Sequence, residues 1–164
     1  YQPSRGLGDV YKRQDINIVI DAGGLYYMKE FGCPSNAIIT PHPGEAAMLL
    51  DCSVEELQKN RLEAAKELYK KYNCLIILKG YQTIVFDGEA YQCTDGGPAL
   101  STAGTGDVLA GLIGSFLAQG LSKMDAAKFS VAIHGAAGDK FSKNKRGKGL
   151  TATKLIKIIN EEML

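Results

Sequence analysis

Short runs of β-branched and aliphatic residues alternate with helix-period segments along most of this 164-residue chain. That alternation constrains the fold more than any other feature. Ile16-Asn-Ile-Val-Ile20, Ala37-Ile-Ile39 and Leu75-Ile-Ile-Leu-Lys79 are bounded by Asp, Gly or Pro and suit buried parallel strands. Between the second and third of these, Ser53 with Glu56 has capping-box spacing, and Asn60 with Glu63 repeats it. One helix or two consecutive helices are therefore expected over Val54 to Tyr72, with Leu62, Ala65, Leu68, Tyr69 and Tyr72 facing the core. Asp87-Gly88 between Thr83–Phe86 and Ala90–Cys93 predicts a β-hairpin. Three further helices are expected over Gly106 to Gln119, Ser122 to about Phe141, and Thr151 to Met163. Strand-helix alternation of this kind implies an α/β fold, with a mostly parallel sheet flanked by helices and the hairpin as a local antiparallel departure.

Composition narrows the partners. Nineteen basic against eighteen acidic residues give a net charge of +1, which argues against a nucleic-acid partner or a polybasic membrane contact. No apolar run approaches a membrane span and no signal peptide opens the chain, so the cytoplasm is the expected compartment. Cys33, Cys52, Cys74 and Cys93 form no C-x-x-C pair, and neither histidine stands at metal-ligand spacing from them. They are read as small buried thiols, and no protein-held metal is expected. The first fourteen residues carry no period of either kind and resemble translated adapter sequence. Residues 1–14 are therefore expected to be a non-native or disordered lead without sheet contacts, and residues 15–164 to be part of one domain. The basic cluster Lys140, Lys143, Lys145, Arg146 and Lys148 reads as a solvated connection.

Three segments carry chemistry. In Ser101-Thr-Ala-Gly-Thr-Gly-Asp-Val-Leu-Ala-Gly-Leu-Ile-Gly114, glycines and small residues run directly into an apolar helix. Backbone N–H groups of Gly104, Thr105 and Gly106 can then approach an anion at the positive end of a helix dipole. Asp107 at the helix start has two readings, a helix cap or a general base facing the ligand. In Thr40-Pro-His-Pro-Gly-Glu45, two prolines brace His42 at the carboxyl end of a strand, where ligands gather in open α/β sheets. Glu45 suits the first turn of the next helix. In Leu78-Lys-Gly-Tyr-Gln-Thr83, Lys79 ends an apolar strand and can reach a phosphate at the sheet edge, or simply extend to solvent. His134, among the small residues of a helix, is read as a satisfied structural histidine.

In this order, Thr40-Pro-His-Pro-Gly-Glu45, Leu78-Lys-Gly80, Gly104-Thr-Gly-Asp-Val-Leu109 and His134-Gly-Ala-Ala-Gly-Asp139 resemble the C-terminal two-thirds of ADP-dependent NAD(P)H-hydrate dehydratases of the ribokinase-like superfamily. The resemblance runs from about Asp15 to Leu164 and implies a ribokinase-like domain incomplete at its N-terminus. It implies a metabolite-repair hydro-lyase that removes water from NADHX or NADPHX, driven by cleavage of ADP (or ATP) with Mg²⁺, and a homo-oligomer when complete. By the same resemblance His42 would contact the substrate and Asp107 its hydroxyl, with Asp107 as the catalytic base. Lys79, Gly80, Tyr81, Gln82 and Thr83 would line the nucleotide, with Gly104, Thr105 and Gly106 at its phosphates. Gly97, Leu100 and Ala103 stand where the family usually has Asn, Met and Gly, and Ala103 is the departure that bears on the anion hole. Gly23 replaces a second Asp in Asp21-Ala-Gly-Gly-Leu25. Two other readings share these motifs, namely a ribokinase-like kinase of a small vitamin-precursor alcohol and an inactive nucleotide-binding fragment.

Overall fold

A computed structural model describes residues 16–145 and 149–162. The expectation for residues 1–14 and the Arg146–Lys148 part of the basic cluster lie outside them. Five strands form one sheet, β1 (Ile18–Ile20), β2 (Ala37–Ile39), β3 (Leu75–Leu78), β4 (Ile84–Phe86) and β5 (Ala90–Gln92), in the spatial order β1-β2-β3-β4-β5. The first three run parallel, in the register Ile18 to Ala37 and Ile38 to Leu75. β4 and β5 return antiparallel through the Asp87-Gly88 turn, where Gly88 takes a φ of 87°.

Every residue of β2 and β3 is buried, as expected of strands covered on both faces. Their side chains alternate between two cores. Ile39, Ile76 and Leu78 pack with Leu25, Leu49 and Leu68 on one face. Ile38, Leu75 and Ile77 pack with Leu109, Ile113 and Val131 on the other. The first face is covered by α1 (Gly23–Phe31), α2 (Pro43–Leu50), α3 (Val54–Lys59) and α4 (Arg61–Tyr72), the second by α5 (Thr105–Ala118) and α6 (Lys123–Lys145). A third core joins α6 to α7 (Ala152–Glu162) through Phe141, Leu150, Leu155 and Ile159.

Two departures from expectation have physical causes. The first is Leu62: over Val54 to Tyr72 the chain forms two consecutive helices, one of the two arrangements expected, broken at Asn60, whose φ of −146° is not helical and whose side chain caps α4. The break sets the phase of α4 so that Ala64, Ala65, Leu68 and Tyr72 are buried, while Leu62 is 39% exposed and faces away from the core. Tyr69 packs at the core margin, edge-on to Phe86 at 5.3 Å. The second is α1, which no residue pattern announces. It opens on Gly23-Gly24 without a side-chain cap and is held by burial of Leu25 and Met28. Of the four thiols, Cys74 and Cys93 are buried, whereas Cys33 and Cys52 sit half-exposed at element ends; all four are free. Among the described residues no helix is long and apolar enough to cross a membrane.

Candidate active site

The parallel strands all end at one edge of the sheet, and the residues that follow them form the site. Asp21 follows β1, Thr40-Pro41-His42 follows β2, and Lys79 follows β3. The ladder runs slightly beyond the strands, since Thr40 N–H donates to Ile20 O and Lys79 N–H to Pro41 O. These backbone bonds fix the loop starts in register with the sheet.

His42 is the N-cap of α2. Its Nδ1 accepts from the N–H groups of Gly44 at 3.0 Å and Glu45 at 3.2 Å, while the Glu45 carboxylate accepts from His42 N–H at 2.7 Å. This is a complete capping box with an imidazole in place of the usual hydroxyl. Because Nδ1 is an acceptor, the ring proton of the neutral imidazole is on Nε2, which lies 3.5 Å from Glu45 Oε1. The histidine side chain remains 56% exposed to the cleft.

The glycine loop begins α5 without any side-chain cap. Gly104 occupies the N-cap position at a φ of 85°, a conformation that favours glycine. Asp107 is the third residue of the helix, so the cap reading of Asp107 does not hold. Buried Thr105 ties the loop down by donating from Oγ1 to Leu100 O at 2.6 Å and Thr102 O at 2.8 Å. His134 reaches across from α6, its Nε2 donating to Thr105 O at 2.8 Å. Burial pushes the His134 pKa below its ordinary value, and the Lys79 charge adds to this against the Thr105 bond. The ring is a satisfied structural histidine, as expected, and it braces the loop.

Lys79 extends from β3 to Asp21, with Nζ 2.8 Å from Oδ1. Burial alone would raise the Asp21 pKa, but hydrogen bonds from Lys79, Thr40 and the Ala22 N–H, with the Lys79 charge, hold it below the ordinary carboxylate value. Behind the strand end, half-buried Arg61 donates to the carbonyls of Leu78 and Lys79, and burial lowers its pKa. A Cβ on Gly80 would lie 3.0 Å from that guanidinium, at a φ of 135°. The positive φ favours glycine there, and any side chain would also have to displace the guanidinium tip.

A cleft of about 450 Å³ gathers His42, Lys79, Gly80, Gly104, Thr105, Gly106 and Asp107, which stand up to 65 residues apart in the chain. An adjoining hollow of about 220 Å³ lies between Tyr81, Gly96, Gly97 and Pro98, and shares Gly80, Leu100 and Ser101 with the cleft. Gln82 and Thr83 line neither. Gln82 accepts from Gln92 at 2.9 Å, and Thr83 donates to Gly80 O at 3.0 Å, so both shape the turn. Ala103 is exposed and lines neither space, so its methyl does not narrow the loop. Asp21 also lines this cleft and, like Glu45 and His134, is not singled out from the sequence as a site residue. Its one local signal is its position, directly after an apolar strand, which it shares with Lys79.

Over residues 7–161 the chain matches the family profile described as NAD(P)H-hydrate dehydratase. The chain belongs to the NAD(P)H-hydrate dehydratase family. It is 41% identical over 145 residues to the bifunctional NAD(P)H-hydrate repair enzyme of Vibrio cholerae, covering 87% of this chain and 29% of that protein. The crystal structure of the ADP/ATP-dependent NAD(P)H-hydrate dehydratase of Bacillus subtilis, co-crystallised with ATP and Mg²⁺, superimposes with a TM-score of 0.85 at 33% identity. That match covers 93% of this chain and 56% of the Bacillus chain. A ribokinase-like superfamily protein of Enterococcus faecalis V583 superimposes with a TM-score of 0.79 at 28% identity, over 90% of this chain and 52% of its own. The dehydratase family member described here thus has the ribokinase-like fold and spans about half or less of the length of these relatives.

Proposed function

We propose that this chain carries the nucleotide-dependent dehydratase site that restores NADH or NADPH from its hydrate, NADHX or NADPHX. The observation that carries the reading is the convergence, in one cleft, of an uncapped helix N-terminus, a lysine ammonium and an exposed carboxylate on the first helical turn. The helix N-terminus favours a carboxylate as well as a phosphate, so the base reading of Asp107 rests on its exposure to the cleft beside the loop and Lys79. A carboxylate placed there suits a site where a hydroxyl must lose its proton next to a phosphoryl group.

In this reading the N–H groups of Gly106 and Asp107 at the start of α5 and the Lys79 ammonium hold the phosphates of ADP or ATP, while the Thr105 N–H is turned to Thr102 O at 3.3 Å. The hollow beside Tyr81 takes the nucleoside, with the exposed Tyr81 ring available for stacking. His42, whose imidazole is fixed by its own capping bonds, offers the Nε2–H to the hydrated substrate. Asp107 accepts the proton of the ring hydroxyl, and that oxygen forms a bond to the terminal phosphorus as the bond to the nucleotide breaks. Phosphate then departs from the ring carbon, pushed by the ring nitrogen lone pair, and a proton lost from the neighbouring carbon restores the double bond. Phosphate is the better leaving group, which is what nucleotide cleavage supplies to a dehydration.

Magnesium fits this site as a companion of the phosphates. The described residues contain no group of three metal-binding side chains, and Mg²⁺ commonly takes most of its ligands from water and phosphate. When bound it would neutralise phosphate charge.

The test is nucleotide-dependent recovery of the near-ultraviolet absorbance of NADH from NADHX by the purified chain. Recovery supports the dehydratase. A stable phosphorylated alcohol from a vitamin-precursor substrate would support a kinase, and nucleotide binding without either reaction would leave a binding fragment.

A further inference from the structure

The Asp21–Lys79 pair joins the ends of β1 and β3, which are not neighbours, because β2 lies between them in the sheet. The lysine therefore lies across the carboxyl edge of the sheet above Thr40 and meets a carboxylate on the far side. Both side chains are mostly buried, at 18% and 14% exposure. A pair this shielded is weak evidence of stabilisation, since the desolvation of both charges offsets their attraction. Its place in the cleft is more telling. A Cβ built on Gly106 would lie 3.2 Å from Lys79 Nζ and 3.8 Å from Asp21 Oδ2, so the pair rests directly against the first turn of α5.

We propose that Asp21 is a positioning residue that holds the Lys79 ammonium over the N-terminus of α5, where the phosphates of the nucleotide bind. This rests on the nucleotide reading of the cleft. A lysine side chain loses rotamer freedom when fixed, and Asp21 imposes that order before the nucleotide arrives. Without Asp21 the ammonium is free to turn to the other carboxylates lining the cleft, Glu45 and Asp107. Pairing with Asp107 would mask the base. Asp21 touches no reacting atom in this arrangement, and its negative charge by itself opposes a phosphate.

Those opposed effects make the test a matter of sign. ADP affinity is measured by calorimetry on the whole chain for the wild type, Asp21→Asn, Lys79→Met and the double variant, with folding checked by circular dichroism. Asp21→Asn is expected to weaken ADP binding about tenfold when Lys79 is present. In the Lys79→Met background the same change is expected to leave ADP affinity unchanged or to raise it, because only repulsion is then removed. Equal weakening in both backgrounds, or no weakening in the wild-type background, would overturn the proposal. Undiminished ADP binding by Lys79→Met would instead remove the nucleotide reading on which it rests. Should Asp21→Asn fail to fold, Asp21→Glu keeps the charge but shifts the carboxylate by one methylene. Several-fold weaker ADP binding is then expected, and unchanged binding would overturn the assignment.

Discussion

The buried ring of His134 in α6 donates from Nε2 to the carbonyl of Thr105 at 2.8 Å, so one helix braces the first turn of another where the candidate phosphate loop begins. Burial, and to a smaller degree the nearby Lys79 charge, lower the pKa of the ring in the fold and disfavour its protonation. As the pH falls below 6.5, the ordinary histidine value, the unfolded chain takes up a proton that the folded ring resists. Stability contributed by this residue is therefore complete above that value and is lost as the pH drops towards the lower folded pKa. Urea unfolding across this range should show the decline. His134→Gln, which keeps a donor but does not titrate, should flatten the part of the slope that His134 supplies.

Asp107→Asn separates chemistry from folding. No side chain caps α5, so the change should cost less than about 1 kcal/mol, the scale of a lost charge-dipole contact. Turnover of NADHX should fall about 100-fold or more if the carboxylate is the base. Nucleotide affinity should hold or rise, since a negative charge has left the neighbourhood of the phosphates. Turnover near the wild-type level would remove Asp107 from the mechanism.

His42 has two separable roles. Its Nδ1 accepts two backbone N–H groups, so His42→Ala should destabilise the fold by about 1 kcal/mol. Asparagine is a good N-cap, and His42→Asn should keep that stability while removing the Nε2–H from the cleft. Thermal unfolding together with KM for NADHX distinguishes the two. The expected result for the Asn variant is an unchanged midpoint with KM raised about tenfold.

Gly106→Ala places a methyl 3.2 Å from the Lys79 ammonium inside the first turn of α5. Alanine favours the helix by up to about 1 kcal/mol over glycine, so the protein should be no less stable. The ammonium must move, and ADP affinity should drop about tenfold. A calorimetric titration showing wild-type affinity would mean that Lys79 and the loop do not act on the same group.

What the chain declared locally was what local physics decides. β-branched runs marked the strands, Ser53 with Glu56 formed its capping box, and Asp87-Gly88 turned the hairpin. The glycine loop before α5 and the proline-braced His42 were legible as site segments for the same reason, because their backbone needs are written in adjacent residues. Tertiary structure decided the rest. Leu62 left the core because the break at Asn60 set the phase of α4, and α1 formed because the sheet offered Leu25 and Met28 a place to pack. Asp107 proved not to be a cap because a left-handed Gly104 already begins the helix. Asp21 became part of the cleft through a lysine 58 residues away. Sequence spacing carries periodicity and capping, which act over a few residues. Ion pairs and cleft walls depend on which strand ends the sheet order brings together, and that is settled only when the sheet forms and both its faces are buried.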